Sequence, residues 1–119
     1  MSNAAEKRCF KLVQQVVCRR DRVCRRCGAT PISGHHLWSR RNHSISFEPD
    51  SMLGLCLDCH ARAHNNPKDY HDLLREKIGL ERYIYLEALS RETVRLRDAD
   101  FKEIAAELGK RLERMRGKV

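Results

Sequence analysis

Two Cys-x2-Cys pairs, Cys24/Cys27 and Cys56/Cys59, stand 28 residues apart, with four histidines at short offsets around them. One such pair is ambiguous between redox chemistry and chance. Two in so short a chain offer four thiolates, the number that a closed tetrahedral Zn²⁺ site takes. Each pair predicts a knuckle with backbone amides turned toward the sulfurs. Cys9 and Cys18 have no such partner and read as small apolar residues, with Cys18 as the alternative ligand. His35 and His36 lie between the pairs. Neighbours on a strand point to opposite faces, so these two imidazoles divide their labour. His60 follows Cys59 directly, and His64 stands at i+4 from it, on the same face if the segment is helical. That spacing lets two histidines grip one metal. Folding around zinc then sets the His35 strand against the His60–His64 helix. A second cation is expected between His35 and His60, with His64 as a further ligand. His36, facing away from it, is left as a base, with an imidazole pKa suited to work near neutrality.

The elements that must position these residues can be traced from periodicity. Residues 4–20 predict a helix, with Phe10, Val13 and Val17 on one stripe and Leu12 and Val16 beside them. "HHLW" predicts a short strand, "SISF" alternates like another, and "MLGLC" leads into the second knuckle. Residues 57–65 predict the helix carrying His60 and His64. Asn66-Pro67 opens a further helix that Gly79 ends. Residues 83–97 continue as helix, and Asp100 with Glu103 resembles a capping box for a last helix through Met115. Ile104, Leu108, Leu112 and Met115 form its apolar stripe. The expected fold is a small α+β domain spanning all 119 residues. Its zinc-stapled ββα centre (24–65) lies between an N-terminal helix (1–23) and C-terminal helices (66–119). That centre is too short for a self-sufficient core, so metal and flanking helices are both needed.

Charge points to a polyanionic partner. The chain carries a net +8, and residues 1–65 hold 11 basic against 5 acidic side chains. A basic surface of that density attracts nucleic acid through counterion release. At 41% apolar and 34% charged residues the chain is expected to be a soluble globular protein. It shows no secretory leader pattern and no apolar run of membrane-spanning length, so a cytoplasmic protein with no membrane partner is expected. In a reducing compartment, six cysteines are not a disulfide framework.

The stretches "CRRC", "GHHLWSR", "PDSMLGLCLDCH" and "CHARAH" together resemble the HNH, or ββα-metal, nuclease family in its zinc-ribbon form. They cover residues 24–64, about a third of the chain. The resemblance implies a ββα-metal fold and a metal-dependent DNA endonuclease or nickase that leaves 5′-phosphate and 3′-hydroxyl ends. It implies that His35 and His60 bind the catalytic ion (Mg²⁺, Mn²⁺ or another divalent), that His64 binds metal or steadies phosphate, and that His36 deprotonates water. At the family's middle asparagine, which orients the base, this chain has Ser51. Arg40, Arg41 and Arg62 are the candidates for holding DNA phosphates, which Arg can clasp bidentately. The alternative is a zinc-ribbon DNA-binding or recombination accessory module that has lost catalysis, with Ser51 as the sign of it. A homodimer is left open. Small stand-alone members of this family are common in phages and mobile elements.

Overall fold

The computed structural model describes residues 4–116. It is an α+β structure of five α-helices and one two-stranded antiparallel sheet. The elements run α1 (Ala4–Asp21), β1 (Ser33–His36), β2 (Met52–Leu55), α2 (Leu57–Asn65), α3 (Pro67–Ile78), α4 (Leu80–Ser90) and α5 (Asp98–Arg116). A single 3₁₀ turn, Pro49–Ser51, leads into β2. No helix among the described residues is long and apolar enough to cross a membrane.

Two apolar clusters hold these elements together. In the first, Cys9, Leu12, Val13, Val16 and Val17 of α1 meet Phe101, Ala105, Leu108 and Leu112 of α5, with Phe47 and Met52 closing one end. The stripe expected on α5 is there, with Ile104 and Met115 at its margin. Cys9 behaves as an apolar residue, its thiol donating to the Phe101 carbonyl at 3.0 Å. In the second cluster, Leu53, Leu55, Ala63, Tyr70 and Leu74 surround Cys24, Cys56 and Cys59.

The sheet is small, and α1 side chains complete it. Gly34 and Gly54 are register partners, and their backbone groups point outward rather than to each other. Gln14 therefore acts as a third strand toward β1. Its amide oxygen accepts from the Gly34 N–H at 2.7 Å, and its amide nitrogen donates to the Gly34 carbonyl at 2.8 Å. On the other edge the Gly54 N–H donates to Asp21 Oδ2 at 2.8 Å, and the Arg25 N–H donates to the Gly54 carbonyl at 2.9 Å. A Cβ at Gly34 would lie 2.9–3.0 Å from the ends of the Met52 and Gln14 side chains, which would have to shift.

Asp21 is buried with its side chain fully covered, held by Arg20 at 2.7 Å and Arg25 at 3.0 Å. Burial opposes its charge, but the hydrogen bonds from Arg20 and Gly54 and the two guanidinium charges outweigh it, so its carboxyl titrates below the usual range. Removing one partner of such a group leaves the others uncompensated. Asp21→Ala is expected to lose about 3 kcal/mol, the low end for a broken buried pair because both arginines keep some water. Urea unfolding measures it, and a loss under about 1 kcal/mol, the range of exposed pairs, would show that the clamp is dispensable.

Four expected elements differ in the structure. "SISF" is not a strand. The Ile45 and Ser46 N–H groups both donate to the Asn42 carbonyl, and Glu48 N–H donates to Ile45. Ile45, Ser46 and Phe47 are all buried, so the alternation in sequence does not correspond to two faces. The strand expected at "HHLW" ends at His36. Beyond it the chain bends, and Trp38 leaves the sheet for the second cluster. The helix expected at 83–97 occupies Leu80–Ser90 instead. Gly79, at φ 91°, lets it start directly after α3, and Ser44 Oγ with the Asn42 amide takes its last carbonyls at Leu89 and Ser90. The capping box expected from Asp100 with Glu103 does not form; Asp100 lies inside the first turn and reaches back to the residue before the helix. Asp100 Oδ2 accepts the Arg97 N–H at 2.8 Å, and α5 begins at Asp98.

Candidate metal centres and the histidine cleft

The sulfurs of Cys24, Cys27, Cys56 and Cys59 all lie within 4.8 Å of one another, and this group could hold a metal such as zinc. Cys27 Sγ and Cys56 Sγ are 3.6 Å apart. Tetrahedral zinc with bonds of about 2.3 Å spaces its sulfurs by about 3.8 Å, close to the Cys27–Cys56 separation. The turn 24–27 and the start of α2 supply the knuckles, with the Gly28 N–H donating to Cys24 and the His60 N–H to Cys56. Burial disfavours the Cys24 thiolate, but backbone hydrogen bonds from Cys56, Cys27 and Arg26 outweigh it and bring its pKa to about 6. Metal ligation requires that thiolate form. Cys18 is not a member of this group; its sulfur faces the Ile32 carbonyl at 3.8 Å.

The chain joins this cysteine group to a second one. Tyr70 Oη donates to the Cys59 carbonyl at 2.6 Å, and its ring lies 5.9 Å from that of His35. His35, from β1, meets His60 and His64 of α2, with ligand nitrogens within 4.8 Å of each other. Ring centroids are 4.4 Å apart for His35–His60 and 5.0 Å for His35–His64 and for His60–His64. The i, i+4 spacing on α2 and the strand position of His35 produce this convergence as the sequence predicts. Ser33 Oγ lies 3.5 Å from His60 Nδ1.

Burial, then the neighbouring His60 and His64 charges, hold the His35 pKa at about 4. At neutral pH the ring is therefore uncharged and carries a free lone pair, as metal binding demands. The sign for stability follows from the unfolded chain, where this histidine takes a proton near pH 6.5. Its contribution is complete above that pH and lost as pH falls toward 4. Without added divalent ion, stability should drop by about 3 kcal/mol over that range. Urea midpoints from pH 7 to 4 check it. His35→Gln should flatten the drop, and an equal drop in that variant would place the effect elsewhere.

His36 faces the other way, toward α1, where its ring meets Phe10 at 6.0 Å. Its Nε2 lies 2.9 Å from the Ser46 carbonyl. A carbonyl only accepts, so Nε2 carries the hydrogen and the neutral ring keeps its lone pair at Nδ1. Burial lowers the His36 pKa, partly offset by the Ser46 bond and reinforced by Arg40. Ser51 stands one step back from His36. Buried at 2% exposure, its hydroxyl bonds the Glu48 carbonyl at 2.7 Å and that of Ile45 at 3.1 Å. It thus braces the turn that presents the Ser46 carbonyl.

His35, His36, His60 and His64 all line one cleft of about 570 Å³, together with Trp38, Arg40, Tyr70 and His71. No family model, curated protein or solved structure matches the chain. What the cleft can do rests on its own donors. Arg40 reaches its rim, stacked over Phe10 at 4.3 Å. Arg41 lies in the adjoining concavity with Lys7 and His43, and Arg62 is exposed on α2 without lining the cleft. Trp38 and His71 are lining residues that spacing alone did not single out. Their one sequence signal is aromatic character beside the "HH" pair and at i+1 from Tyr70.

Proposed function

We propose that this protein is a metal-dependent DNA endonuclease of the HNH, ββα-metal type, with a structural zinc on Cys24, Cys27, Cys56 and Cys59. The observation that carries it is the pairing of a three-imidazole cluster with a separately oriented fourth histidine in one cleft. The chain order β1, β2, α2 places the cluster between strand and helix, in keeping with the family resemblance. His35, His60 and His64 suit a divalent cation, being neutral-imidazole donors within one ion's reach. A cation held there supplies Lewis acidity for the phosphate and the leaving oxygen. His36 takes the proton of the attacking water at Nδ1 while the Ser46 carbonyl fixes its tautomer and ring plane. Arg40 holds a phosphate at the rim through its guanidinium.

A supercoiled-plasmid nicking assay across Mg²⁺, Mn²⁺, Ni²⁺ and Zn²⁺ tests this reaction. Nicked product with at least one ion is the expected result. Binding without cleavage under every ion would instead make the protein a DNA-binding accessory module. Because the His36 pKa is lowered, the acid limb of the rate profile should have its midpoint below pH 6.5, the ordinary imidazole value. A midpoint above that value would argue for a different base.

A further inference from the structure

A further concavity, of about 560 Å³, opens between α1 and α5, lined by Gln15, Cys18, Arg19, Arg22, Leu112 and Arg116. Elsewhere the half-buried Arg20, Arg25 and Arg82 pair with acids. Arg19 and Arg22 have no carboxylate within ion-pair distance among the described residues. Arg116 has only the exposed Glu113, at 3.6 Å. Three exposed guanidinium groups around one concavity, with a single acid beside one of them, leave a net positive charge there that attracts an external anion.

Arg22 adds a second sign. It sits at φ 64°, just past the end of α1, with its N–H donating to the Cys18 carbonyl at 2.9 Å. That left-handed position is one glycine fills without strain. A guanidinium kept there sets charge above backbone ease.

This basic concavity adjoins the histidine cleft. Cys18 Sγ contacts the Ile32 carbonyl, and the next residue, Ser33, lines the cleft beside His60. Gln14, one helical turn before Cys18, lines the cleft as well. From Gln14 to Arg22 is about 12 Å along α1, at ~1.5 Å per residue. One DNA strand covers that span in roughly three to four nucleotides, at ~3.4 Å each.

We propose that Arg19, Arg22 and Arg116 form a second phosphate-backbone site, engaging DNA three to four nucleotides from the phosphate held at the histidine cleft. The proposal rests on DNA being the ligand of that cleft. It extends the footprint onto α1 and α5, outside the segment that resembles the nuclease family.

The test is the affinity of the full chain for a fluorescently labelled 20-base-pair duplex, followed by anisotropy from 50 to 300 mM NaCl without added divalent ion. The Arg19→Gln/Arg22→Gln/Arg116→Gln variant should bind on the order of 10²-fold more weakly at 0.1 M salt. Its slope of log affinity against log salt should be shallower by roughly 0.9 per lost phosphate contact. Arg22→Gly alone, which also relieves the backbone, should shift the slope by about 1 with no loss of thermal stability, so misfolding cannot mimic the effect. Hydrolysis of bis(p-nitrophenyl) phosphate, too small to reach the second site, should be unchanged in both variants. Unchanged affinity and slope in the variants, or a wild type whose DNA binding ignores salt, would overturn the site. Absence of hydrolysis with every ion would dispose of the nuclease while leaving the affinity comparison to decide this site.

Discussion

Cys59→Ser is expected to lose bound zinc and the cooperative folding of everything from Cys24 to Leu74. The second apolar cluster has only five buried residues that are not cysteines, so burial alone gives it little. Ligation of structural zinc is worth about 10–16 kcal/mol at neutral pH. That matches or exceeds the ~5–15 kcal/mol by which whole domains are stable. Cys59 also begins the peptide that carries His60, and its carbonyl anchors Tyr70. Losing the ligand therefore disturbs the histidine cluster as well as the knuckles. Zinc per chain by plasma mass spectrometry, with thermal unfolding by circular dichroism, measures the effect. The α1–α5 pair, whose core contains none of the four thiols, should keep some helical signal. A variant with the wild-type melting temperature and no zinc would show that the cysteines do not staple the fold.

Both candidate metal groups were legible in the sequence because their ligands are fixed by short spacings. Cys-x2-Cys and His-x3-His bring side chains together within one turn of chain, whatever the rest of the fold does. The helices α1 and α3 were legible for a similar local reason, a regular apolar stripe in one and Asn66-Pro67 with Gly79 in the other. What was not legible depends on partners distant in sequence. "SISF" has the alternation of a strand, but Ile45, Ser46 and Phe47 are buried from all sides, and the turn closes on Asn42 instead. The carbonyl that holds His36 belongs to Ser46, and backbone atoms leave no mark in residue type. The Arg19, Arg22 and Arg116 group exists only because α5 packs back onto α1. Asp21 did carry a signal: an acid in the last turn of a helix opposes the helix dipole. Such a local misfit is explained when a tertiary partner repays it, here the Gly54 N–H and two guanidinium groups.

His36→Ala is expected to lower DNA cleavage by about 10²–10⁴-fold while leaving zinc content, fold and DNA affinity near wild type. General-base catalysis contributes about that much, and it acts on the transition state rather than on ground-state binding. The geometry gives His36 little else to do. Its Nε2 is held by Ser46, its Nδ1 keeps a lone pair, and it stands apart from the cluster formed by His35, His60 and His64. His60→Ala should fail for a different reason, weakened ion binding, and excess divalent ion should restore part of the rate. Neither excess ion nor raised pH should rescue His36→Ala. His43 shares the Phe10–Phe47 aromatic cluster with His36, but it is paired with Glu6 at 3.1 Å and stacked on Phe47. It does not line the cleft. Ser51→Ala provides the finer test. Without its two hydroxyl contacts the turn that presents the Ser46 carbonyl loosens, so kcat should fall while the concentration of divalent ion giving half-maximal rate stays constant. If His36→Ala cleaves as well as wild type, the proton leaves through another group and the orienting role of Ser46 goes with it. If instead His36→Ala is dead but Ser51→Ala is unaffected, the base is correct and the carbonyl holds it without help from the turn.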